Sequence, residues 1–231
     1  MEIKIQRYNP DKDNQPYMAN YEIDIDSIEG VMLLDALEYI KTNIDSSLAI
    51  RRSCGGGICG SDGMNVNGKN GLACQTQLKN LPNKVVIYPL VSMPIIRDLV
   101  VDMSQFYAQY EMAEPFLQSN VKSDKEQLQS IEDRSKLDGL YECIMCGCCT
   151  SACPSSWWNP DKFMGPQALL TAARFVFDSR DQYRKQRLKL FDDRYRLYRC
   201  RGVFNCVSVC PKGLNPTEAI SKLRKAHAES E

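Results

Sequence analysis

The sequence predicts an α+β chain in two consecutive parts, a β-rich domain over residues 1–100 and an all-α domain over residues 101–231. Two observations carry that reading. Apolar residues alternate at period two in short runs within the first hundred positions, with one helical interruption, and recur at helical spacing afterwards. Cysteines, unusually abundant at eleven, fall into one group in the first part and two in the second.

Residues 2–8 hold Ile3 and Ile5 in alternation, Asn9-Pro10-Asp11-Lys12 supplies a turn, and residues 18–26 alternate again through Ile23 and Ile25. This predicts a β-hairpin. The period then changes: Met32, Leu33, Ala36, Leu37 and Ile40 share one helical face, with Gly30 before them and Lys41-Thr42-Asn43 after. Residues 72–78 and 84–88 are two further short strand candidates. Strand, strand, helix, loop, strand and strand is the element order of a β-grasp. Beyond the crossing at residues 89–94, residues 103–116, 166–177 and 217–228 have helical spacing. Pro166 suits a first helical turn, where the missing N–H costs nothing. Residues 118–136, nearly all polar, read as an exposed connection or a surface helix.

Twenty-nine basic and 29 acidic residues leave no net charge, so no global field draws the chain to nucleic acid or anionic lipid. The start, Met1-Glu2-Ile3-Lys4-Ile5, has no basic run followed by an apolar one, which suggests no export and reduced thiols. No stretch offers the roughly 18–20 apolar residues of a membrane-spanning helix. A single histidine rules out a His-rich zinc site and a Rieske cluster, so metal ligation falls to sulfur.

The cysteines sort into three sites. Cys54, Cys59 and Cys74 match the plant-type 2Fe-2S spacing C-x4-C-x2-C with a distant fourth ligand, except that Asp62 stands where the third Cys belongs. A carboxylate keeps the charge of a thiolate and binds ferric iron; the other reading of Asp62 is a solvated loop carboxylate. Cys143, Cys146, Cys149, Cys153 and Pro154 give the bacterial ferredoxin run C-x2-C-x2-C-x3-C-P in full, with Cys148 left over as a small buried residue. Cys200, Cys206, Cys210 and Pro211 repeat that run with Val203 at its second position. In two-cluster ferredoxins the fourth Cys of each run ligates the other run's cluster. That crossing assigns Cys143, Cys146, Cys149 and Cys210 to a 4Fe-4S cluster. Cys153, Cys200 and Cys206 are left with a Val as the fourth side chain, which suits 3Fe-4S. Zinc held by the CxxC pair is the competing reading. No dinucleotide fingerprint, P-loop or nucleophile elbow accompanies these sites, so the chain reads as a wire for single electrons.

The segment 51–74, RRSCGGGICGSDGMNVNGKNGLAC, with ECIMCGCCTSACPSSWWNPDKF at 142–163 and CRGVFNCVSVCPKGLNP at 200–216, closely resembles the iron-sulfur subunit of succinate dehydrogenase over essentially the whole chain. The resemblance implies a 2Fe-2S ferredoxin-like β-grasp followed by a helical dicluster domain. It implies electrons passed from the FAD of a flavoprotein subunit through 2Fe-2S, 4Fe-4S and 3Fe-4S to quinone. Membrane anchor subunits, with or without heme b, would hold the chain peripherally on the cytoplasmic face of a bacterial inner membrane. The sister family, the quinol:fumarate reductases, shares this cluster order, and a free multi-cluster ferredoxin is a further alternative. Family likeness also places Pro154, Ser155, Trp157 and Trp158 near the quinone, with the Trp158 indole N–H as a donor to a quinone oxygen or, alternatively, as interface packing. Many relatives carry His directly after the Cys matching Cys200; here Arg201 stands there and cannot relay a proton. Residues 180–201 bring Arg180, Arg184, Lys185, Arg187, Lys189, Arg194, Arg196, Arg199 and Arg201 against three aspartates, read as a solvated helix face or as a docking surface for anionic headgroups or an acidic partner.

Overall fold

The computed structural model describes residues 1–120 and 124–230. They form two compact units, Met1–Met103 with Ile144–Ala152, and Ser104–Cys143 with Cys153–Glu231.

In the first unit β1 (Glu2–Arg7) and β2 (Tyr17–Glu22) form the expected hairpin, in the register Ile3 to Tyr21 and Ile5 to Ala19. Strict alternation buries Ile3, Ile5 and Arg7. The second strand stops at Glu22, four residues short of the expected limit, because the Asp24 carboxylate accepts the Asp26 N–H and opens a 3-10 turn over Ile25–Ser27. Helix α1 (Leu33–Tyr39) buries Leu33, Leu34, Ala36 and Leu37 and widens into a π turn over Ile40–Ile44.

A second hairpin, β3 (Gly63–Val66) with β4 (Lys69–Leu72), precedes β5 (Lys84–Tyr88). The strand expected over residues 72–78 is instead the end of β4 followed by a 3-10 turn over Ala73–Gln75. Asn67 and Gly68, both with positive φ (50° and 86°), make the tight turn of this hairpin. The sheet order β2-β1-β5-β3-β4, with β1 and β5 parallel, is that of a β-grasp. A small hairpin of β6 (Ile95–Arg97) and β7 (Val100–Val101) follows. With β7 paired to β6, the opening segment of the first unit runs through Met103.

The second unit carries α2 (Ser104–Glu111), α3 (Ile131–Ser135), α5 (Pro154–Trp158), α6 (Gly165–Val176), α7 (Arg184–Phe191), α8 (Asn205–Ser208) and α9 (Pro216–Ala228); α4 (Cys148–Ser151) belongs to the first unit. Residues 144–152, inside the span expected as one helical domain, group with the first unit. Of the polar stretch 118–136, only α3 is helical among the described residues, and 121–123 lie outside them. Almost every residue of α6 is buried, and Leu169, Leu170 and Ala173 share one core with Phe191 of α7 and Leu223 of α9. Cys143, Cys153, Cys200 and Cys210 pack against that core. No helix among the described residues is long and apolar enough to cross a membrane.

Candidate metal centres

Cys54 and Cys59 sit on the exposed loop before β3, and Cys74 lies in the 3-10 turn after β4. The Cys54 sulfur accepts the backbone N–H groups of Gly56, Ile58 and Cys59 at 3.3–3.4 Å. The Cys59 sulfur lies 3.2 Å from the Ser61 hydroxyl and accepts the Cys54 N–H at 3.5 Å. Donors aimed at sulfur favour the thiolate. The Ser61 hydroxyl foremost, then the backbone N–H groups, lower the Cys59 thiol to about 6. Burial, followed by the Asp62 carboxylate beside it, pushes Cys74 up to about 11.

Asp62 is 3 % exposed, and its Oδ2 accepts the Cys74 N–H at 2.6 Å. A solvated loop carboxylate is thereby excluded, because a charge withdrawn from water needs a partner. Cys54 also lies within electrostatic range of Cys74. The four residues singled out by spacing thus lie on two adjoining segments, Cys54, Cys59 and Asp62 before β3 and Cys74 in the turn after β4, and three thiols, a carboxylate and nearby N–H groups suit a 2Fe-2S centre.

In the same unit Cys146 and Cys149 flank the start of α4. Cys148 is fully buried, with its sulfur 3.8 Å from the Gly71 carbonyl, as expected of a small buried residue. A hydrogen bond from the Cys148 side chain, the largest influence, lowers the Cys146 thiol. Buried Asn70 on β4 donates to the Cys148 carbonyl at 3.0 Å and to the Ser151 hydroxyl at 3.1 Å. Sequence reasoning missed Asn70; a polar residue at an inward-facing strand position is the signal that marks it.

The two ferredoxin runs share one backbone plan. Met145 and Gly147 have positive φ (54° and 79°) around Cys146, and Gly202 and Phe204 have positive φ (both about 65°, at 66° and 65°) around Val203. A single helical turn then follows in each, α4 and α8, with Cys149 and Cys206 as its second residue. Left-handed backbone costs a non-glycine residue roughly 1–2 kcal/mol, so Phe204 and Met145 keep it against a penalty. Val203 therefore occupies the position that Cys146 occupies in the complete run.

In the second unit a cavity with about 330 Å³ of empty space, partly open to solvent, is lined by Cys153, Cys200 and Cys206. Val203, Phe204, Arg201, Pro154, Ser155 and Thr217 complete much of its wall. The Thr217 hydroxyl, in the first turn of α9, lies 3.2 Å from the Cys206 sulfur. Burial raises the Cys206 thiol, Thr217 opposes it, and the Cys153 and Cys200 thiols add to it. Three thiols around an open space with an alkyl side chain in the fourth place suit a three-iron cluster. Among the described residues no three His, Cys, Asp or Glu side chains close on one point as a single ion requires, and a multi-iron cluster, whose ligands bind different irons, does not ask them to.

Of the candidate quinone contacts, Pro154 and Ser155 line this cavity, and Ser155 is buried with its hydroxyl donating to the Arg199 carbonyl at 3.1 Å. Trp157 and Trp158 end α5 at the surface, Trp158 at 71 % exposure, and are not part of the wall. The basic stretch is also less exposed than its sequence suggests. Arg187 is fully buried against Asp181, and Arg180 pairs with Asp178. Arg184, Lys185, Lys189 and Arg194 remain exposed.

Residues 2–108 match the family model described as a 2Fe-2S iron-sulfur cluster binding domain, and residues 139–214 match that of a 4Fe-4S dicluster domain. The curated succinate dehydrogenase iron-sulfur subunit of Coxiella burnetii is 56% identical over 225 residues, 97% of this chain and 95% of that protein. Among solved structures, a chain of the Mycobacterium smegmatis Sdh1 complex in the apo form superposes with a TM-score of 0.84 at 23% identity, covering 100% of this chain and 96% of that one. A hypothetical protein from Helicobacter pylori shares the fold more loosely, with a TM-score of 0.59 at 15% identity over 98% of this chain and 39% of its own. Two cluster-binding domains in this order, with a majority of residues shared along nearly the full length, make the chain a member of the succinate dehydrogenase iron-sulfur subunit family.

Proposed function

We propose that the chain relays single electrons from the reduced FAD of a flavoprotein subunit to a membrane quinone, as the iron-sulfur subunit of a succinate:quinone oxidoreductase. The observation that supports this reading best is the repeated left-handed backbone around Cys146 and Val203, as expected of a third site that copies the second with one ligand removed.

Cys54, Cys59, Asp62 and Cys74 would hold 2Fe-2S. Cys143, Cys146, Cys149 and Cys210 would hold 4Fe-4S, and Cys153, Cys200 and Cys206 would hold 3Fe-4S. Bound there, the clusters supply reversible one-electron carriers. The chain's own residues hold them as thiolates: N–H groups at Cys54, the Ser61 hydroxyl at Cys59 and the Thr217 hydroxyl at Cys206 stabilise negative charge on sulfur. Pro154, Ser155, Trp157 and Trp158 form the quinone-facing end of this reading. Trp158, Val203 and Phe204 are all exposed, and each offers aromatic or apolar surface of the kind that packs on anchor subunits. With no membrane-crossing helix among the described residues, those anchors, with or without heme b, would hold the chain peripherally on the cytoplasmic face of the inner membrane.

The test is EPR of the purified complex, as isolated and after graded reduction, with iron and acid-labile sulfide counted alongside. A 3Fe-4S signal in the oxidised sample, then 2Fe-2S and 4Fe-4S signals on reduction, supports the assignment. A zinc-bearing or single-cluster protein overturns it.

A further inference from the structure

Gly60 directly follows Cys59, is buried, and has φ +69°. A Cβ at this position would lie 2.8 Å from the Cβ of Cys146, 2.9 Å from its Cα and 2.9 Å from the Ile144 carbonyl oxygen. No side chain fits there. The loop that carries Cys59 therefore rests backbone to backbone on the segment that carries Cys146. Gly63 repeats the closeness, with its Cβ position 3.0 Å from the Cys146 carbonyl oxygen.

A second hold fixes the same segment. Asn70 Nδ2 donates to the Cys148 carbonyl and the Ser151 hydroxyl, its Oδ1 accepts from Asn65 Nδ2 at 2.8 Å, and the Ser151 hydroxyl donates to the Val91 carbonyl at 2.7 Å. Asn65, Asn70 and Ser151 are all buried. A satisfied buried polar network of this kind specifies one arrangement and resists sliding.

We propose that Gly60 is the passage for electrons between the first and second centres, and that Asn70 is the positioning residue that keeps the Cys146–Cys149 segment against it. The inference rests on the ligand assignment above. One electron leaves the first centre and arrives on the second; no bond breaks and no proton moves. The reductant is the reduced flavin of the partner subunit in turnover, or dithionite in the test. Tunnelling falls steeply with the width of the gap and is faster through packed atoms than through open space. The sequence Cys59, Gly60, Cys146 offers packed atoms throughout, and any side chain at residue 60 forces the two segments apart.

The experiment compares Gly60→Ala with the unaltered complex. Its readouts are iron and sulfide content, the separate EPR signals, the enhancement of 2Fe-2S spin relaxation by the reduced 4Fe-4S centre, and the rate at which the second centre is reduced after rapid mixing. The expected result is a full cluster complement with a loss of relaxation enhancement and slower reduction of the second centre. Unchanged relaxation and rate in a fully loaded variant overturn the proposal. If Gly60→Ala does not load its clusters, Asn70→Ser decides: it removes the reach to Cys148 and Ser151 without crowding the loop, and the same loss is expected. A loaded Asn70→Ser complex with unaltered relaxation overturns the proposal. Absence of either signal from the unaltered complex would instead overturn the functional reading itself.

Discussion

Gly147 and Phe204 hold the same left-handed conformation, at φ 79° and 65°, each immediately before a single helical turn that presents a cysteine. Glycine adopts it freely and phenylalanine does not. The residue before each, Cys146 in one and Val203 in the other, is therefore delivered by the same backbone turn.

Val203→Cys is expected to complete the third site. The oxidised variant should lose its 3Fe-4S EPR signal, gain a four-iron signal on reduction, and bind additional iron per chain. A stably folded variant with an unchanged three-iron signal would falsify the equivalence of the two turns.

Thr217→Val keeps the shape of the side chain and removes the hydroxyl 3.2 Å from the Cys206 sulfur. A donor to a ligand sulfur stabilises the more negative, reduced state of a cluster. The three-iron centre of this variant should titrate at a lower potential, with its iron content intact. A potential equal to that of the parent protein would show that the hydroxyl bonds elsewhere in the loaded site.

Arg187 is the structural pin of the helical unit. Its side chain and that of Asp181 are both fully buried, 2.9 Å apart, and the guanidinium also donates to the carbonyls of Ala113, Glu114 and Phe116. Truncating it leaves a buried carboxylate and bare carbonyls. Arg187→Ala should cost about 3–5 kcal/mol of unfolding free energy in a urea titration. Removing Asp181 as well should cost less than the two single changes added together, and strict additivity would count against a coupled pair.

In the first unit Arg7 joins Asp45, Tyr21 and Asp98, with an Nε to Asp98 distance of 3.0 Å. The Ser47 hydroxyl foremost, then Arg7 and Tyr21, hold the Asp45 carboxyl well below the usual range against the opposing effect of burial. A carboxyl with a depressed folded-state pKa adds stability above its unfolded value, about 3.9, and that stability is lost as pH falls through the folded value. Burial, with the Asp45 hydrogen bond, pushes Tyr21 up to about 12. A raised phenol adds stability below about pH 10, lost as pH climbs towards the folded value. The stability gap between the parent and Asp45→Asn should stay constant from about pH 5 to pH 9 and narrow below about pH 4; a gap that persists under acid would exclude Asp45 ionisation as its source.

The elements that were legible in the sequence are those whose pattern is local. Alternation marked β1, helical spacing marked α6 and α9 to within a residue or two, and three of the thiols that spacing picks out, Cys153, Cys200 and Cys206, line one cavity. The hairpin of β3 and β4 was missed, although Asn67-Gly68 is a strong two-residue turn signal. Its strands are only four residues long and carry inward-facing Asn65 and Asn70, which break the apolar alternation. The burial of Arg187 was equally hidden, since a cation in a basic run gives no sign that a carboxylate and three carbonyls wait for it. Of the four expected quinone contacts, Pro154 and Ser155 line the cavity, while Trp157 and Trp158 lie at the surface.

The grouping of Ile144–Ala152 with Met1–Met103 sets an order on biosynthesis. When residue 103 leaves the ribosome, the sheet is whole but Asn70 has neither the Cys148 carbonyl nor the Ser151 hydroxyl to bond. Until that segment arrives water bonds the Asn70 amide instead, and the face it closes in the finished unit stays open. Cys148 and Ser151 are translated 45 and 48 residues later. The amino-terminal unit is therefore complete only once the segment carrying Cys146 and Cys149 has been translated, and that segment folds with the sheet rather than with the helical unit.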